Sequence, residues 1–285
     1  MAAKRGNVLS ASNMRRESLP ATRRLMILGA HPDDCEWMGG GLAALCIRAG
    51  WTVRFVSATN GDAGHHEMAP RALAARRRIE ARRAAAVIGA KADTLGEHDG
   101  RLFVNDRTTE KAVSAIRRFD PDILIAHRVT EYHRDHRYAA QLVLDASFVL
   151  QVPLVYPKVP APRRVPVIFY ACDFFTEGTP FRADFIVDVT DVLETRTHML
   201  LEHVSQFQEW IPWLNGNRSA GRRSPATDLE DISRGLEHRP RAIALRYAAM
   251  LKRKYRRKVG AAEAFMLSEY GRRASASDLA KLLPW

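Results

Sequence analysis

Short apolar runs alternate with longer amphipathic stretches through most of the chain. Leu25-Met26-Ile27-Leu28-Gly29-Ala30 is uncharged and too short for a helix core, so it reads as a buried strand over 24–30. A helix follows through Gly39-Gly40-Gly41 and ends near Gly50. Thr52–Thr59 is a second strand closed by Asn60-Gly61-Asp62, and the Ala- and Arg-rich 71–88 is a helix stopped by Gly89. A short strand near 92–96 precedes the turn Asp99-Gly100. Thr108–Phe119 reads as a helix ending before Pro121, Asp122–Ala126 as a strand, and about 135–150 as another helix. Five prolines make 151–166 a loop, two strands are expected at 167–172 and 184–189, and a helix from Asp191 to about Ile211 is stopped by Pro212. Gly216–Ser233 is polar and turn-rich, a candidate mobile flap, and the last fifty residues look helical and amphipathic in parts.

Strands alternating with helices specify an α/β fold: a Rossmann-like, mostly parallel sheet with helices on both faces. Residues 1–20 are polar and aperiodic and are expected to form a flexible tail, leaving 21–285 as a single α/β domain with a helical C-terminal extension. In a doubly wound sheet of order 3-2-1-4-5, strands one and four are neighbours, and the crevice at their carboxyl ends is the usual ligand position. The loops after these two strands carry Ala30-His31-Pro32-Asp33-Asp34 and His133-Arg134-Asp135-His136. The topology therefore brings both runs to one crevice, where mixed imidazole and carboxylate donors suit a divalent metal such as zinc, with carboxylates left for acid–base work. Taken singly, an Asp after a strand is most often a helix cap and a His a hydrogen-bonded residue. His65 and His66 are read that way; the joint pattern lifts His31 and His136 above it.

Composition narrows the classes further. No apolar run approaches the ~20 residues that span a bilayer, and no apolar core follows the basic N-terminus as in a secretory signal. Three scattered cysteines fit a reducing cytoplasm. The net charge is +12, concentrated in the tail, in Arg76-Arg77-Arg78 with Arg82-Arg83, and in Lys252–Lys258. Aromatics do not interleave with these charges, so solvated helix faces are preferred to a nucleic-acid surface. Contact with a membrane surface is not favoured, and homo-oligomer formation is left open. No G-x-G-x-x-G follows the first strand, so a dinucleotide fingerprint is not supported; the three glycines are read as letting a helix N-terminus pack close behind the crevice.

The two runs together resemble the hallmark of the LmbE-like/PIG-L family of zinc-dependent de-N-acetylases, of which GlcNAc-PI de-N-acetylase is one. Thr59–Gly64, Arg77-Arg78-Ile79-Glu80, Asp99-Gly100, His203-Val204-Ser205-Gln206 and Ala262-Glu263-Ala264-Phe265 extend the likeness over roughly residues 24–270. The resemblance implies that His31, Asp34 and His136 hold one Zn2+ per chain, or another divalent metal. It makes Asp33 the general base and His133 the oxyanion stabiliser or acid. Asp135 would orient His133 and keep it charged. Arg77 and Asp99 would contact sugar hydroxyls. Relatives often place a tyrosine two residues before the first histidine of the second run; this chain has Glu131 there and Tyr132 one place later.

The implied activity is removal of an N-acetyl (acyl) group from an amino sugar, an N-acetylglucosamine unit linked to a lipid, an inositol or a secondary metabolite. Competing readings are a metallo-phosphoesterase, which wants more bridging carboxylates, and a non-catalytic sugar- or nucleic-acid-binding relative, against which the intact Asp33 argues.

Overall fold

The computed structural model describes residues 22–216 and 225–283. The expected tail at 1–20 and residues 217–224 of the expected flap lie outside them. The elements run β1 (Arg24–Gly29), α1 (Asp34–Arg48), β2 (Thr52–Thr59), α2 (Pro70–Ala86), β3 (Lys91–Glu97), α3 (Asp106–Phe119), β4 (Ile123–Ala126), α4 (Arg134–Val149), β5 (Val167–Ala171) and β6 (Phe185–Asp188). There follow α5 (Leu193–Leu201), α6 (Ile211–Leu214), α7 (Pro225–Arg246), α8 (Ala248–Tyr255), β7 (Ala262–Leu267) and α9 (Ala276–Leu282).

The sheet order is β3-β2-β1-β4-β5-β7-β6. The first five of these strands are parallel, and β7 is antiparallel to both of its neighbours. The period of two along β1 explains why helices cover both faces. Leu25 and Ile27 pack with Leu42, Phe55, Phe169 and Phe265 on one side. Met26 and Leu28 pack with Val56, Ile116, Leu142 and Val143 on the other. Local chemistry fixes the ends of α3: Asn105 and Thr108 cap its start reciprocally, and Asp120 in a left-handed conformation stops it before Pro121.

Three expectations are corrected. The last fifty residues are not simply helical, because β7 slots between β5 and β6. Its Ala262-Glu263-Ala264-Phe265 is buried throughout, a pattern that periodicity alone does not separate from a buried helix segment. Asp191–Ile211 is not one helix: a 3-10 turn (Thr190–Val192) leads into α5, the chain breaks at His203, and Ser205–Trp210 is π-helical. Pro212 lies in the first turn of α6 instead of stopping a helix, at a position where no intrahelical N–H is needed. Within the expected flap, residues 225–233 belong to α7.

Gly39, Gly40 and Gly41 lie inside α1, beyond its N-terminus. The helix is interrupted at Gly39, and the amides of Gly41 and Leu42 donate to the Glu263 carboxylate at 2.8 Å each. A Cβ on Gly41 would stand 2.8 Å from the Val189 Cβ and 2.9 Å from Glu263 Oε1, so only glycine admits this approach. Glu263 in turn pairs with the buried Arg196 on α5 (3.3 Å). Arg196 also donates to the carbonyl of Leu236 (3.1 Å). Pro240, four residues on in α7, has no N–H with which to claim that carbonyl.

Candidate metal centre and active site

β1 and β4 pair in register up to Leu28↔Ala126, so the segments leaving their carboxyl ends start side by side. From β1 the chain turns through Pro32 and Asp33 into α1, and the Asp34 carboxylate folds back to accept the amides of Ala30 (2.9 Å) and His31 (2.7 Å). From β4 it passes His127 and Glu131 to His133, which caps α4, and places Asp135 and His136 in the first turn.

His31 Nδ1 and His136 Nε2 face each other at 3.2 Å. Asp34 lies 3.4 Å from the first and 3.5 Å from the second. Ligands at zinc distances on a tetrahedron stand about 3.3–3.5 Å apart, so these three donors outline one face of it. Their outer nitrogens support the same reading. His31 Nε2 meets Asp99 (3.1 Å) and Asp135 (3.6 Å), and His136 Nδ1 meets Glu131 (3.0 Å). With protons held on the carboxylate side, both inner nitrogens present lone pairs to one point, the usual carboxylate–histidine–metal arrangement. His127 also approaches Asp34 (3.2 Å) and stacks on His136, with ring centroids 4.1 Å apart. The ligand atoms of Asp34, His127 and His136 lie within 4.8 Å of one another, as do those of His31, His133 and His136, so the donors fit a cation.

Asp33 stands apart from this triangle. Its φ of 147° is rarely adopted by residues other than glycine, and such strain persists only where neighbours impose it. Arg77 is one such neighbour: its guanidinium pairs with the Asp33 carboxylate (3.1 Å) and donates to the Pro32 carbonyl (2.8 Å). Gly61 makes room for Arg77, since a Cβ there would lie 2.5 Å from Arg77 Nη1. Arg77 is 2 % exposed and is no solvated member of the arginine run; it holds Asp33 and lies 3.7 Å from Asp99. Arg76 bridges Glu209 and Glu80.

Burial lowers the affinity of His31 for a proton, but hydrogen bonds that its ring donates to Asp135, Asp34 and Asp99 outweigh it and raise its pKa well above the ordinary value. In His136, Asp34 and Glu131 likewise overcome burial. Asp34 is held well below the usual carboxylate range, against burial, by His136 and His127. Burial pushes Asp33 the other way, opposed by Arg77, a displacement that suits a proton acceptor.

The expectation for Asp135 is corrected. Its fully buried carboxylate accepts the amides of Gly100 (2.7 Å) and Leu102 (3.3 Å) and faces His31, not the His133 ring. What fixes His133 is the Asp135 backbone N–H, donated to Nδ1 at 3.1 Å, which leaves the neutral ring protonated on Nε2. Burial and the adjacent His31 and His136 hold the pKa of His133 below the ordinary value. The remaining site candidates, His31, Asp33, Asp34, Arg77, Asp99, His133 and His136, all line one cleft of about 830 Å³. A larger hollow, about 1250 Å³, lies by β6, α8 and α9, but its lining contains no histidine.

Two site residues escaped the sequence reading. His127 follows β4 directly, the signal that singled out His31 after β1. Glu131 was noted only as a missing tyrosine, whereas its carboxylate holds His136. His65 and His66 are structural, as expected: His65 bonds Glu209 (3.0 Å), and His66 stacks on Trp213. The lining of the cleft also includes the apolar side chains of Trp37, Phe174, Phe175, Phe207, Trp210 and Leu214.

Residues 26–147 match the family profile described as PIG-L: GlcNAc-PI de-N-acetylase. The diacetylchitobiose deacetylase of Thermococcus kodakarensis is 28% identical over 203 residues, 67% of this chain and 75% of that protein. The 4-oxalmesaconate hydratase of Pseudomonas putida is 26% identical over 180 residues, 60% of this chain and 69% of that protein. The solved N,N'-diacetylchitobiose deacetylase of Pyrococcus horikoshii shares the fold, with a TM-score of 0.66 at 22% identity over 88% of this chain and 85% of that one.

Proposed function

We propose that this chain, whose residues 26–147 match the PIG-L family profile, removes the N-acetyl group of an amino sugar, an N-acetylglucosamine conjugate, with the help of one bound Zn2+. The observation that carries the reading is the triangle of His31 Nδ1, His136 Nε2 and Asp34, with Asp33 beside it and free of it. The similarity to diacetylchitobiose deacetylase supports the substrate class.

In this reading His31, Asp34 and His136 hold the ion, which supplies Lewis acidity and lowers the pKa of water to about 7. Asp99 and Glu131 fix the two imidazoles through their outer nitrogens. Asp33, aimed by Arg77, takes the proton of the attacking water; its upward-shifted pKa makes it an adequate base that can give that proton back. The Nε2–H of His133 donates to the amide carbonyl oxygen as negative charge grows there, a contact worth roughly 3 kcal/mol when preorganised. Asp33 then passes the proton to the departing amine. Asp99 and Gln206, whose side chain is fixed on the Gly64 carbonyl, offer polar edges to sugar hydroxyls.

No helix among the described residues is long and apolar enough to cross a membrane; three scattered cysteines support a reducing compartment such as the cytoplasm. The test is release of primary amine from N-acetylglucosamine and N,N'-diacetylchitobiose by chain loaded with Zn2+, Mn2+ or no metal. Amine release that needs the metal supports the reading. The relative from Pseudomonas putida adds one control: hydration of 4-oxalmesaconate with no amine release from either sugar would replace hydrolysis with water addition.

A further inference from the structure

The arginines around the cleft are nearly all matched to carboxylates. Arg77 pairs with Asp33, Arg128 grips Asp173 through two nitrogens (2.6 and 2.8 Å), and Arg196 holds Glu263. Arg239, on α7, also lines the cleft, yet among the described residues no carboxylate pairs with it. Among the described residues its one hydrogen bond goes to the Cys172 carbonyl. The carboxylates whose charge reaches it are Asp173, Glu263 and Glu131, each of which has its own cation or imidazole.

Two aromatic rings orient this guanidinium. It lies 5.4 Å from the centroid of Trp37 and 5.6 Å from that of Phe174. Trp37 is itself braced by Phe207 at 6.3 Å and by Arg196 at 5.5 Å. Arg246, two turns further along the same helix, rests on the same Phe174 ring at 5.4 Å and is exposed. A half-buried cation with one carbonyl partner retains most of its donors in a plane fixed by its neighbours. That fork matches the two oxygens of a carboxylate or phosphate.

We infer that Arg239 is the anchor for an anionic group on the substrate, a phosphate or carboxylate carried by the part of the amino-sugar conjugate that projects from the metal centre toward Trp37 and Phe174. The inference rests on the hydrolase reading for the other end of the same cleft. Arg246 extends the positive path outward from Arg239. The Asp173 carboxylate is already taken by Arg128.

Three probes test it: methyl N-acetylglucosaminide, its carboxymethyl counterpart, and N-acetylglucosamine 1-phosphate. Amine release gives kcat and KM for the metal-loaded chain and for Arg239→Gln and Arg239→Lys. Calorimetry gives the affinity of each probe in an Asp33→Asn background, where turnover is suppressed. We expect the charged probes to be preferred over the neutral one, and Arg239→Gln to cut that preference about 10- to 100-fold, mainly through KM. Arg239→Lys, which keeps charge but loses the fork, should restore part of it. Loss of preference for both anions identifies a general anion anchor, and loss for one alone identifies which anion it serves. Equal losses on neutral and charged probes, or no initial preference, overturn the inference. Should no probe release amine while calorimetry still shows the Arg239-dependent preference, the hydrolase reading falls and the anion site stands.

Discussion

Asp33→Asn separates chemistry from metal binding within two adjacent residues. The substitution keeps the size of the side chain, and asparagine tolerates unusual backbone angles better than most residues, so the φ of 147° should survive. It removes the proton acceptor and one half of the contact with Arg77 Nη2 at 3.1 Å. Losing a general base costs typically 10²- to 10⁴-fold, about 2.7–5.5 kcal/mol of barrier. The stability cost is smaller. Arg77 keeps the Pro32 and Gly61 carbonyls and Asp99 at 3.7 Å, so it is not left unpaired, and about 1–3 kcal/mol is expected for one weakened charged hydrogen bond. Steady-state amine release, metal content by elemental analysis and urea unfolding read the three quantities independently. The expected result is turnover lowered at least ~100-fold with the metal retained. If Asp33→Asn loses the metal while Asp34→Asn keeps it, the roles of the two aspartates are reversed and the mechanism above is wrong.

Glu131→Gln weakens the partner of His136 Nδ1 and should lower metal affinity about 10- to 100-fold, measured by competition with a chelator; unchanged affinity would deny Glu131 that part. Gly61→Ala puts a methyl group against Arg77 at a φ of +70°, so turnover should fall as Arg77 shifts, while Gly100→Ala, equally strained but with open space around its Cβ, should affect stability alone. Arg196→Met leaves Glu263 buried without its cation and should destabilise the fold by about 3–5 kcal/mol in urea unfolding; less than ~1 kcal/mol would make the pair incidental. In Glu97, burial is outweighed by Lys111 and Arg107, which lower its pKa. Its stabilising effect is therefore complete above about pH 4.3, the unfolded value, and is lost as pH falls through the lower folded value. Acid unfolding of Glu97→Gln should lack that component.

The ends of β1 and β4 were legible because each buried run is short, uncharged and followed by a turn, and a parallel sheet of this order makes neighbours of strands one and four. Hence the runs 31–34 and 133–136 could be brought to one crevice from their positions alone, whereas the choice of His31, Asp34 and His136 within them came from the family resemblance. The partners of these residues were not legible in the same way. Glu131 serves His136 from five residues away across an irregular loop, and Asp135 serves His31 and not the adjacent His133, because α4 points its carboxylate toward Gly100. Composition alone made Arg77 one of three surface charges and only the resemblance set it over the sugar, since nothing in a run of arginines says which lies under the Gly61 turn. β7 was missed because a strand buried on both faces between antiparallel neighbours has no alternation to display, and α5 was overextended because its break comes from His203 and Ser205 reaching the buried Glu36 and Glu80.

The position of β7 bears on what can be separated from what. The stretch that carries every proposed metal ligand ends at α4, yet it is not autonomous. Without β5 and β7, β4 becomes an open edge whose unpaired groups invite association with other chains. The Gly41 and Leu42 amides lose Glu263, the acceptor that lies more than two hundred residues away in sequence. A fragment cut to the catalytic motifs would thus keep the reactive side chains and lose the frame that aims them. Grafting, truncation or domain shuffling of this protein has to respect a boundary set by its last strand.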